Sequence, residues 1–119
     1  MTVADRIWLF QVALVAGALG TTPVLGQGTS GEIKRGELKR GERILAKNCS
    51  RCHAIGRTGA SPHRQAPPFR TLSKRYPIDS LSEALGEGLS TGHPDMPEFV
   101  FPPRDIGAIL SYLQSIQQK

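Results

Sequence analysis

Apolar positions recur most regularly toward the end of the chain, where Ile106, Ile109, Leu110, Leu113 and Ile116 follow one another at steps of three and four. That spacing predicts one amphipathic helix. It starts near Pro103, which suits a first turn, and Asp105 then lies where the helix dipole favours negative charge. A second amphipathic stretch, from about Gly36 to about Asn48, carries Leu38, Ile44, Leu45 and Ala46. Between the two lie shorter signals. Pro68 opens a short helix with Phe69, Leu72 and Tyr76 on one face, and Pro77 ends it. Ser80 and Glu83 then form a capping-box pair ahead of Leu81, Ala84 and Leu85, with a stop around Gly86 to Gly88.

The intervals Cys49 to Pro68 and Thr91 to Pro103 are rich in proline or glycine and read as loops. No stretch alternates apolar and polar residues, so the expected class is all-α. At 119 residues the chain suits one domain with one modest core.

The N-terminal stretch follows a different pattern. Met1 to Arg6 is a polar head, Ile7 to Leu19 is mostly apolar, and Thr21 to Gly28 is small and polar. This layout predicts a secretory signal over residues 1–26, cleaved near Gln27. The apolar run is interrupted by Gln11 and falls short of the roughly 20 residues that a spanning helix needs. An uncleaved anchor is the alternative. Residues 27–35 are expected to be a flexible lead-in and 36–119 the folded domain. The pentads GEIKR, GELKR and GERIL match neither the helical nor the strand period, so they read as a solvated approach to the first helix.

Charge narrows the partners. The formal net charge is +5, and removing residues 1–26 deletes one Asp and one Arg, which leaves it unchanged. That balance suits an acidic protein or an anionic membrane surface. Nucleic acid is the weakest fit, since aromatic residues are few and no basic run is interleaved with them.

The most specific chemistry sits in Cys49-Ser50-Arg51-Cys52-His53, which holds the only two cysteines. Two thiols on one turn can each add to a vinyl group of the same haem, and the next imidazole reaches the iron from that side. Three readings compete. A disulfide this tight restricts the chain little and leaves His53 unexplained. A thioredoxin-like pair needs a preceding strand, and none is indicated. A zinc site would have to recruit His53, His63 or His93. One covalent haem c is therefore the expected cofactor, and the short core predicts a haem-free form that is unfolded or nearly so.

For the second axial position the candidates are Met96, His63 and His93. Met96 is favoured because Pro94 and Pro97 stiffen its segment and it precedes the last helix. His93 is the nearer rival, and His63 is expected at the surface. A thioether raises the reduction potential by favouring ferrous iron.

At these residues the chain resembles the class I c-type cytochromes, from about Gly36 to Ile116. The resemblance implies a cytochrome c fold, with N- and C-terminal helices crossing and short helices and loops around one haem. It places Gly41 and Leu45 on the first helix against Ile109 and Tyr112 on the last. It also implies that the carbonyl of Pro67 or Pro68 orients His53, and that Phe69, Leu72 and Phe99 wall the haem. The His53 to Met96 interval is shorter than in mitochondrial relatives and points to the compact bacterial type.

The expected function is single-electron transfer in the periplasm, not catalysis. The protein would be a monomer that meets redox partner proteins, acidic or membrane-bound, and uses no small-molecule substrate. A subunit of a larger dehydrogenase or oxidase and a haem-based ligand sensor are the alternatives. Arg64, Arg70, Lys74 and Arg75 are candidates to hold propionates or to form a docking face, with solvated surface charge the expected role for most of them.

Overall fold

The computed structural model describes residues 29–88 and 95–119. The expected signal segment 1–26 and His93 lie outside the described residues. Among the described residues there are helices and no strand: α1 (Ser30–Asn48), a 3₁₀ helix (Phe69–Lys74), a 3₁₀ turn (Ile78–Ser80), α2 (Leu81–Glu87) and α3 (Pro103–Ile116). The all-α class is as expected. None of these helices is long and apolar enough to cross a membrane.

α1 begins at Ser30, well before the expected Gly36, so residues 30–35, expected as a lead-in, are already helical. The reason is local. Glu32 turns back over Thr29 and accepts its backbone N–H at 2.9 Å and its hydroxyl at 3.2 Å, tying down the first turn. The early turns are exposed, so the five-residue charge pattern decorates a helix that no buried face reveals.

α1 and α3 cross at Gly41. A Cβ there would overlap the Ala108 carbonyl and lie 2.8 Å from Tyr112 Cβ, so the two backbones approach closely only because residue 41 has no side chain. Polar ties flank the crossing. Arg40 Nε donates to Asp105 Oδ1 at 2.8 Å, and the Ser111 hydroxyl donates to Glu37 at 3.0 Å. The core lies beneath: Leu45 from α1, Ile106, Ile109, Leu113 and Ile116 from α3, and Phe69, Leu72, Ile78 and Leu85 from the short elements.

Two short elements differ from expectation. The segment after Pro68 is a 3₁₀ helix, with Pro68 extended at its N-cap (φ −65°, ψ 134°) and not inside the first turn. Three residues per turn align Phe69 with Leu72, and Tyr76, two residues past the end of this helix, is tied back by its N–H to Leu72 O at 3.2 Å. Ser80 makes no capping bond, because it already has helical dihedrals (φ −64°, ψ −14°) as the end of the preceding 3₁₀ turn, whereas a cap side chain works from an extended backbone. α2 stops at Gly88, whose φ of +109° suits glycine and whose N–H donates to Ala84 at 3.0 Å. α3 starts and ends where its periodicity predicts.

Candidate cofactor-binding site

A largely apolar cavity of about 520 Å³ opens between the end of α1, the 3₁₀ helix, α2 and α3, within the ~300–1,000 Å³ range of cofactor pockets. Cys49, Cys52, His53, Pro67, Phe69, Leu72, Met96 and Phe99 all lie on its wall. Of the residues singled out from the sequence, Pro68 alone among the described pocket candidates does not. Its carbonyl is turned into the 3₁₀ helix, where it accepts from the Thr71 N–H at 3.1 Å and the Thr71 hydroxyl at 2.8 Å.

The Cys-His segment is built by the way α1 ends. The Cys49 N–H still bonds Leu45 O at 2.8 Å, and the Cys49 carbonyl then accepts from both Cys52 (3.1 Å) and His53 (2.9 Å). This turn brings the two thiols and the imidazole to one side of the chain. The thiols are half-buried and not bonded to each other. Burial first, and then the Cys52 thiol beside it, push Cys49 up to about 11.

His53 is fixed from two directions. Its Nδ1 lies 2.8 Å from the Pro67 carbonyl oxygen. An oxygen of that kind only accepts, so Nδ1 carries the proton and Nε2 keeps a free lone pair. The ring also packs on Phe69, with centroids 4.5 Å apart and planes tilted by 31°. Pro67, and not Pro68, is thus the carbonyl that faces the imidazole. Phe69 is in turn tied to the turn after His53 through its N–H to Ala54 O at 2.9 Å.

Met96 is half-buried on the same wall, beside Asp95 and close in sequence to Phe99. His63 is there too, although a surface position was expected. Its N–H donates to Cys52 O at 3.1 Å, and its Nε2 lies 3.5 Å from Asp95. The loop thus folds back on the Cys-His turn, a closure that no local pattern announces. Among the described residues no group of three or more His, Cys, Asp or Glu side chains is gathered as a metal cage.

Of the four cations considered for propionates, only Arg75 lines the cavity. Arg64 and Lys74 are exposed away from its wall, and Arg70 is half-buried with Nη1 enclosed and without a hydrogen-bond partner. Tyr76 shares the wall with Phe69 and Leu72, and much of the remainder comes from Leu45, Leu85, Ile109 and Leu113, with Phe101 held by its N–H to Leu85 O at 2.8 Å. The helical period identifies these as inward-facing but does not tell a packed neighbour from an open cavity.

The donor set fits a haem: two thiols on one turn, an imidazole nitrogen with a free lone pair, a thioether on the same wall, apolar surface for the macrocycle and one cation for its carboxylates. Neither the curated proteins nor the solved structures include a significant match to this chain. A family model described as cytochrome c oxidase, cbb3-type, subunit III, matches residues 36–113. That span runs from the second turn of α1, through the Cys-His turn and Met96, to the last turn of α3. The chain belongs to this family of c-type cytochromes, and its cofactor is covalently bound haem c.

Proposed function

We propose that this cytochrome is a single-electron carrier in which Cys49 and Cys52 hold the haem through thioethers while His53 Nε2 and Met96 Sδ ligate its iron. Bound haem c supplies the one-electron iron couple. The protein's own residues do the rest. Pro67 O holds the proton on Nδ1 of His53 and so presents Nε2, while Phe69, Leu72, Leu85, Ile109 and Leu113 keep water from the macrocycle. The observation that carries this reading is the His53 to Pro67 bond, made on the wall that Met96 shares.

Export suits thioether attachment, so residues 1–26 act as a cleaved signal and the mature protein works in the periplasm. Exposed Arg51, Arg64, Lys74 and Arg75 are each on the cavity wall or next in sequence to a residue that is. Positive charge on and beside the wall segments suits acidic partner proteins that receive or deliver electrons at the haem edge.

Oxidised and reduced absorption spectra of the exported protein test the reading, together with haem staining after denaturation. A covalent stain lost in Cys49→Ser/Cys52→Ser, and a low-spin ferric spectrum altered in Met96→Ala, are expected. A colourless mature protein overturns it. The family's description favours a second reading, in which the chain is an electron-transferring subunit of an oxidase. Stable co-purification with a membrane complex selects that one, and a monomeric mature protein selects the free shuttle.

A further inference from the structure

The residues that orient His53 are themselves held by the end of the chain. Past the last turn of α3, Gln117 folds its side chain across the 3₁₀ helix. Its Nε2 donates to Phe69 O at 2.9 Å and to Leu113 O at 2.7 Å, and its Oε1 accepts the Ser73 N–H at 2.9 Å. The next residue adds a backbone bond, Gln118 N–H to Arg70 O at 2.8 Å. Phe69 is the ring that packs on His53, and Pro67, two residues earlier, accepts its Nδ1–H. One amide side chain therefore uses both of its polar atoms to fix the segment that aims the imidazole.

We infer that Gln117 is a positioning residue for the iron ligand, setting the strength of the His53 to Pro67 hydrogen bond and through it the reduction potential. The inference rests on the ligation by His53 proposed above. A firm bond from Nδ1–H to a carbonyl makes Nε2 a stronger donor and favours ferric iron. A looser segment weakens that donation and raises the potential. Gln117 lies beyond residue 113, where the match to the family ends, while the atoms it holds lie within the matched span.

The test compares haem-loaded Gln117→Met with Gln114→Met. In the first, a thioether side chain fills the same space with neither a donor nor a strong acceptor. Gln114→Met removes a different bond of α3, from Gln114 to Asp79 at 2.6 Å, away from His53. In Gln117→Met the midpoint potential is expected to rise and the His53 Nδ1–H, followed by NMR, to exchange about fivefold faster, the factor a lost hydrogen bond of ordinary strength gives. Gln114→Met should leave both unchanged while lowering the thermal midpoint comparably. Equal potentials and exchange rates in the two variants, with only stability reduced, overturn the inference. Should Gln117→Met not fold, Gln117→Glu keeps the acceptor for Ser73 and loses the donor to Phe69, and the exchange rate then decides. A wild-type protein without a His-ligated haem would instead overturn the ligation itself.

Discussion

Gly41 of α1 lies so close to the Ala108 carbonyl of α3 that a methyl group cannot stand between them. The obstacle is backbone, which cannot swing aside as a side chain would. Gly41→Ala must therefore push the helices apart and disturb Leu45 and Ile109 below the crossing. The expected loss is about 3 kcal/mol, the upper end for overpacking, against a gain of up to ~1 kcal/mol in helix propensity. Denaturant unfolding of the haem-loaded variant measures it.

Met96→Ala should retain the covalent haem, because the thiols are untouched. The variant is expected to lose the weak long-wavelength band of the ferric protein, to have a lower midpoint potential, and to bind carbon monoxide rapidly when reduced. An unchanged ferric spectrum would transfer the ligand role to a histidine, with His63 already on the wall.

Tyr112 joins α3 to the loop after the Cys-His turn, its hydroxyl donating to Ile55 O at 3.2 Å. Burial, reinforced by Glu42 and opposed by Arg57, raises its ionisation above the usual 10.0. The folded state thus favours the neutral phenol. That contribution is complete below the unfolded value and is lost as pH rises through the folded one. Tyr112→Phe should cost about 1 kcal/mol near neutral pH, and the gap between variant and wild type should narrow above about pH 10. Unfolding curves from neutral to alkaline pH check this.

Among the described residues, six of the ten that form the core, Leu45, Phe69, Leu72, Leu85, Ile109 and Leu113, also line the cavity. Haem is the apolar body that would fill the space between them, and a chain with so few buried side chains has little core of its own to replace it. Haem-free Cys49→Ser/Cys52→Ser should therefore show no cooperative thermal transition and reduced helix content by circular dichroism. A sharp transition with native helicity would contradict this.

α3 was legible residue by residue because a three-four period, a proline at its start and an acidic first turn all agree. The Cys-His turn was legible because its chemistry is contiguous. What stayed hidden depends on the third dimension or on ambiguous spacing. Phe69 and Leu72 stand three apart, which serves an α-helix and a 3₁₀ helix equally, so the spacing does not tell which winding brings them, with Tyr76, to the cavity wall. Thr29 and Glu32 carry a capping-box spacing, but the charged pentads that follow show no buried face to mark a helix. His63 reaches the cavity only through a loop closure onto Cys52, and Gln117 lies beyond the last apolar repeat, where pattern has nothing more to say.

The two prolines at 67 and 68 have a kinetic meaning as well as a geometric one. Their rings lock the backbone that carries the oxygen facing His53, and the buried Phe69 ring blocks sideways travel of the imidazole. With His53 on the iron, as proposed, a change of charge there would find few neighbouring nuclei free to relocate. A site so stiff would start each transfer near the shape in which it ends, which lowers the activation barrier.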